Sequence, residues 1–89
     1  GAQLGAGGIV NHGAVVDHDG TVGSYTHIAP GAVLGGAVRV GVRVLLGSGA
    51  VVQPGLSVCD DAVIGAGSVV CADITQAGTY VGAPARRIR

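Results

Sequence analysis

The run Ile28-Ala29-Pro30-Gly31-Ala32-Val33-Leu34-Gly35-Gly36-Ala37-Val38-Arg39-Val40-Gly41-Val42-Arg43-Val44-Leu45-Leu46 decides the fold. An aliphatic residue returns every six positions within it, at Ile28, Leu34, Val40 and Leu46. The same frame extends back through Val22, Val16, Val10 and Leu4, and forward through Val52, Val58, Ile64 and Val70. Leu, Ile and Val make up 26 of the 89 residues, so twelve hits in one frame by chance has a probability on the order of 10⁻⁷, and the repeat is real. A second column of small or aliphatic residues follows each hit by four positions, from Gly8 and Ala14 through Ala50 and Leu56 to Ser68 and Ile74.

A period of six matches neither the 3.6 of a helix nor the 2 of a long strand. It matches a short strand and a tight turn, repeated. Three units make a triangular coil of about 18 residues, and stacked coils pair as parallel strands. Each coil is too small to bury its own interior, so stacking must supply the core. Composition agrees. Hydrophobic residues make up 48% of the chain, yet Phe, Trp and Met are absent and Gly numbers 18. That implies a narrow interior lined by aliphatic side chains rather than an ordinary aromatic-filled core. One domain is expected, with coils over 1–75 and a closing segment over 76–89.

Formal charge is zero, with five Arg against five Asp. That excludes the basic excess usual in nucleic-acid binding. No run of about 20 apolar residues is present, so no spanning helix is expected. No basic start precedes an apolar run, so no signal peptide is expected within these residues. The chain begins with Gly rather than Met, as a processed product or a fragment does. Cys59 and Cys71 fall on different corners of the coil, and two free thiols suit a reducing cytoplasm. No spacing of His and Cys suggests a metal site.

Chemistry-bearing residues concentrate in one stretch: Asn11-His12, Asp17-His18-Asp19 and His27, followed by Gly35-Gly36. Imidazole suits proton removal at neutral pH, and a neighbouring carboxylate can orient the ring and favour its charged form. His18 has Asp on both sides. Taken alone, Asp17-His18-Asp19 is equally a solvated turn. His18 and His27 lie nine residues apart, half of one coil. They are therefore expected on opposite sides of a prism, on the order of 15 Å apart. Asn11 precedes His27 by 16 residues, which makes them neighbours in successive coils.

The repeat resembles the hexapeptide-repeat acyltransferases, and the ending Val81-Gly82-Ala83-Pro84-Ala85-Arg86-Arg87-Ile88 is similar to their closing motif. The pattern Asn11, His18-Asp19, His27 and Gly36 resembles the sugar O- and N-acetyltransferases of the sialic-acid and bacillosamine type. His12 has no counterpart in it. The resemblance implies an all-β fold, a left-handed parallel β-helix of about four 18-residue coils. Handedness comes from the resemblance alone, since parallel crossovers are right-handed in about 98% of cases. Members of this type usually carry an N-terminal α/β domain, which these residues do not contain.

The activity implied is acetyl transfer from acetyl-CoA to an amino or hydroxyl group of a sugar or nucleotide sugar. His18 is the expected base and Asp19 its orienting carboxylate, with Asn11, His27 and Gly36 contacting reactants. Acetyl-CoA is expected along a ridge of small residues: Gly47, Ser48, Gly65, Ala66 and Gly82, with Pro30, Ser48, Ala66 and Pro84 as one column. Arg86 and Arg87 are expected at its phosphates. Opposite placement of the histidines calls for a site shared between copies, and the resemblance implies a homotrimer. A non-catalytic trimerising β-helix is the alternative.

Overall fold

The structure, a computed structural model, describes residues 3–89. It is all strand and turn, and its strands form a parallel β-solenoid of about four turns. The first face holds β1 (Gln3–Leu4), β4 (Thr21–Val22), β7 (Arg39–Val40) and β10 (Ser57–Val58). The second holds β2 (Ile9–Val10), β5 (His27–Ile28), β8 (Leu45–Leu46), β11 (Ala62–Ile64), β13 (Gly78–Val81) and β14 (Arg86–Arg87). The third holds β3 (Val15–Val16), β6 (Val33–Leu34), β9 (Val51–Val52) and β12 (Val69–Val70).

Register is 18 residues throughout the first coils, as in Val10↔Ile28↔Leu46 and Leu34↔Val52. In the two-residue strands of the coils, β1 to β10 and β12, the second residue takes the inward position. Ile28, Leu34, Leu46, Val52, Ile64 and Val70 are fully buried, as the six-residue frame requires. The small column completes the interior through Ala32, Val38, Ala50 and Ala62. The column has two buried polar members: Ser68, whose Oγ accepts the Gly82 N–H at 3.1 Å, and Thr26. The Thr26 hydroxyl donates to the Gly41 carbonyl at 2.7 Å and accepts from the Val44 N–H at 3.1 Å, so burial leaves neither atom unpaired.

The period breaks once. Val58 pairs with Ile74, and Ile64 with Tyr80, at a spacing of 16. The corner after β12 is two residues shorter than its predecessors. Ile74 therefore joins the column of Val22, Val40 and Val58, rather than the small column to which the period assigned it. An unbroken frame would have turned Gln76 inward, and shortening the corner buries an isoleucine instead. The same shift corrects the ridge column, since Gly82 and not Pro84 follows Ala66 at the new spacing. β13 then turns back into β14, pairing antiparallel as Tyr80↔Arg87, and this hairpin closes the C-terminal end. At the other end the inward Leu4 and Val10 of the first coil are exposed.

Corners between the first and second faces carry an exposed ion pair. Arg43 donates to both carboxylate oxygens of Asp61 one coil on, at 2.7 and 3.0 Å. That hydrogen bonding holds the Asp61 carboxyl below its ordinary value. A depressed folded-state value stabilises above the unfolded carboxylate range and is lost as pH falls through the folded value. Asp61→Asn tests this, because asparagine also accepts the positive φ of 62° found there. Wild type should melt slightly above the variant at neutral pH, and the gap should close in acid.

Candidate active site

His18 sits in the turn between β3 and β4, on the corner joining the third and first faces. Asp17 shapes that turn, as its Oδ1 accepts the His18 N–H at 2.7 Å. Sequence reasoning gave Asp17 no such part, although an Asp before a turn is the usual signal for it. Asp19 holds a left-handed φ of 58° and brings Oδ2 to 3.4 Å from His18 Nδ1. That distance is at the outer limit of a hydrogen bond. In this geometry Asp19 acts on the ring chiefly as a nearby charge. Both side chains are open to solvent, at 72% and 74% exposure.

The imidazole lies across Gly36, the residue one coil on. A methyl group at Gly36 would come 3.0 Å from His18 Cε1 and Nε2. No group among the described residues accepts the Gly36 N–H. A polarised donor therefore stands beside the ring with nothing to bind.

His27 opens β5 on the second face, and its Nε2 accepts the Asn11 amide at 2.6 Å. This is the neighbour relation expected from their spacing. The bond leaves the second imidazole nitrogen as the one that carries the proton. Asn11 follows β2, at the end of the second face that leads into the second–third corner, and so holds His27 toward that corner. His18 is on the corner opposite the second face, so one chain does not bring the two histidines together. His12 occupies the second–third corner, where its carbonyl accepts the Gly31 N–H.

The ridge runs along this second–third corner. Gly31, Gly49 and Gly67 all hold φ between 70 and 74°. Added methyl groups at Gly49 and Gly67 would meet nothing within 4 Å, so conformation rather than crowding requires glycine there. Gly47 differs, because a methyl group would come 2.6 Å from the Ala66 backbone nitrogen. Ser48 and Ala66 keep N–H groups without acceptors among the described residues. Pro30 interrupts the row because it has no N–H. Gly82 is partly committed, as its N–H donates to Ser68 Oγ at 3.1 Å.

Arg86 and Arg87 are successive residues of β14, so their side chains leave opposite sides of the strand. Arg87 Nη1 reaches Gln76 Oε1 at 3.4 Å. The structure therefore separates the two cations that the sequence grouped together. Among the described residues no cluster of His, Cys, Asp or Glu could hold a metal ion.

Residues 37–72 match the family described as the hexapeptide repeat of succinyl-transferase. A serine acetyltransferase of Helicobacter pylori is 36% identical, across 99% of this chain and 57% of its own length. PerB from Caulobacter crescentus, solved in complex with CoA and GDP-perosamine, superposes with a TM-score of 0.87 at 36% identity, covering 97% of this chain and 50% of that one. The acetyltransferase domain of PglB from Neisseria gonorrhoeae, solved with acetyl coenzyme A, gives 0.88 at 36% identity, covering 98% and 45%. This chain thus spans about half the length of each of these three proteins. With the repeat, the solenoid and these likenesses in agreement, the chain belongs to the hexapeptide-repeat acyltransferase family.

Proposed function

We propose that this solenoid transfers an acetyl group from acetyl-CoA to an amino or hydroxyl group of a sugar, at sites shared between copies of a homotrimer. One observation carries the reading: the His18 imidazole lies across Gly36, beside an N–H that has no acceptor among the described residues. A base and an oxyanion donor then stand side by side, which is what attack on a thioester needs.

The acceptor lone pair attacks the thioester carbonyl carbon, and a C–N or C–O bond forms. His18 takes the acceptor proton while the carbonyl oxygen, now negative, is held by the Gly36 N–H. Asp19 Oδ2 stands 3.4 Å from the other ring nitrogen, Nδ1, and orients the ring. The C–S bond then breaks, and the proton passes from His18 to the departing CoA sulfur. Asn11 and His27 of the neighbouring copy position the reactants. The pantetheine amides lie along Ser48 and Ala66, whose N–H groups are unclaimed among the described residues, and Gly47, Gly65 and Gly82 keep that ridge low. Arg86 is the cation best free to meet phosphate, because Arg87 already touches Gln76. Two uncommitted thiols agree with a reducing cytoplasm.

Likeness to PerB and the PglB domain supports a sugar acceptor, whereas likeness to serine acetyltransferase supports a small hydroxyl acceptor. A screen of amino sugars, nucleotide sugars and serine with acetyl-CoA, read by thiol release, decides between them. Turnover with a sugar and not with serine is the expected result. Failure to bind acetyl-CoA at millimolar concentration in calorimetry would leave the non-catalytic module.

Gly36→Ala gives a sharper check. The backbone there is ordinary for an L-residue, so the fold should survive. The added methyl group must push the exposed ring aside, and a shift of about 1 Å at a reacting group costs on the order of 10² in rate. Unchanged turnover with a native circular-dichroism spectrum would remove Gly36 from the site.

A further inference from the structure

The first face ends early. Its outward column reads Gln3, Thr21, Arg39, Ser57, and beyond β10 only Ile74 joins it, by a bridge to Val58. Ile74 donates to the Ser57 carbonyl and accepts from the Cys59 N–H, both at 2.9 Å. The chain leaves the face after Thr75, whose N–H has no acceptor among the described residues. A groove of about 400 Å³ opens there on the outer side. Its floor is the backbone of Val40, Val58 and Ile74, whose side chains are buried. Arg39 and Ser57 stand along one side, Gly41, Cys59 and Thr75 along the other. None of these residues has a part in the acetyl-transfer site.

Two charges of opposite sign line the groove and do not meet. The Arg39 guanidinium has no hydrogen bond or ion pair among the described residues. Asp60 stands beside Gly41, where an added methyl group would collide with Asp60 Oδ1. That oxygen accepts the Val42 N–H at 2.8 Å, which fixes the carboxylate in place. Asp60 Oδ2 is left without a partner among the described residues. The adjoining Arg43 and Asp61 neutralise each other. Asp73 lies outside the lining, with its Oδ1 on the Ser57 N–H at 2.9 Å. The Ser57 and Thr75 hydroxyls are unclaimed among the described residues.

We propose that this groove binds a small zwitterion, a molecule of free-amino-acid size with one carboxylate and one ammonium. The carboxylate meets the Arg39 guanidinium and the Ser57 hydroxyl, and the ammonium meets Asp60 Oδ2 and Thr75 Oγ1. The charges choose this class. Asp60 opposes a simple anion on Arg39, and Arg39 opposes a simple cation on Asp60. One molecule with both signs satisfies both. The volume lies within the range of small-ligand sites, and open charged contacts set the expected affinity in the millimolar range.

Cys59 lines the groove and reports on it. With Cys71→Ser leaving one thiol, alkylation of Cys59 by a maleimide is followed in the assembled protein. Alanine and γ-aminobutyrate sample a short and a long separation of the two charges. Propionate and ethylamine carry one charge each. At least one zwitterion should slow alkylation saturably at millimolar concentration, and neither singly charged probe should match it. Arg39→Gln and Asp60→Asn should each raise the half-protecting concentration by about tenfold or more, the usual contribution of a charge-assisted hydrogen bond. Both residues are exposed, and asparagine can still accept the Val42 N–H, so the fold should hold. Protection by neither zwitterion overturns the proposal. Equal protection by propionate or ethylamine does so as well, and so does unchanged protection in either variant. A Cys59 that never reacts in native protein also overturns it, because the groove would be closed. The readout uses no acetyl acceptor, so this site stands or falls apart from the enzymatic reading.

Discussion

His18→Ala should lower acetyl transfer by about 10²–10⁴ and leave fold and CoA affinity nearly intact, the usual contribution of a positioned base. The side chain is 72% exposed and supports no part of the interior, so its loss opens no cavity. The backbone bonds of its turn do not depend on it. Its carbonyl accepts the Ala37 N–H, and its own N–H is held by Asp17. Asp19→Asn should cost less than His18→Ala, because a carboxylate 3.4 Å away biases the ring without taking the acceptor proton. His12→Ala should have little effect, since it stands outside the pattern Asn11, His18-Asp19, His27 and Gly36 that carries the site. Initial rates at saturating acetyl-CoA give this order directly. The assignment fails if His12→Ala abolishes transfer in correctly assembled protein while His18→Ala keeps the wild-type rate.

Leu46→Ala should be the most damaging single substitution for stability, at about 2–5 kcal/mol. Leu46 is fully buried in the middle of the stack, between Ile28 and Ile64 of the adjoining coils. The interior is narrow and has no Phe, Trp or Met to lean into a gap. The coil backbones are locked at strand spacing and cannot close on it. A solenoid is held by contacts between neighbouring coils, so a weak central coil divides the stack in two. Against a total of roughly 5–15 kcal/mol, that loss is a large share. Val10→Ala, at the exposed first coil, should cost far less. Urea midpoints measure both. A cost for Leu46→Ala below that of Val10→Ala would contradict the account.

Legibility differed by residue. Leu34, Leu46 and Ile64 could be placed inside from the sequence because a turn that repeats every six residues returns the same side chain to the same side. Asn11 and His27 were placed together by the same arithmetic, and the 2.6 Å contact bears that out. Ile74 was misassigned because the frame gives no notice that one corner is two residues short. Pro84 was misplaced for the same reason. Arg86 and Arg87 were grouped because they are adjacent in sequence, whereas the strand that holds them sends adjacent side chains apart.

By itself the sequence determined the all-β coil, its phase, its aliphatic interior and the separation of His18 from His27. These follow from period alone, which is a local property repeated. Tertiary structure decided what depends on two distant segments meeting at atomic distance. It laid the His18 ring across Gly36, gave Asp17 its turn and left the Ser48 and Ala66 N–H groups open on one ridge. Period fixes which side of the prism a residue occupies. Only packing fixes which atoms face one another there, because the ångström-scale contacts that orient a ring or free a donor are set by the neighbouring coil.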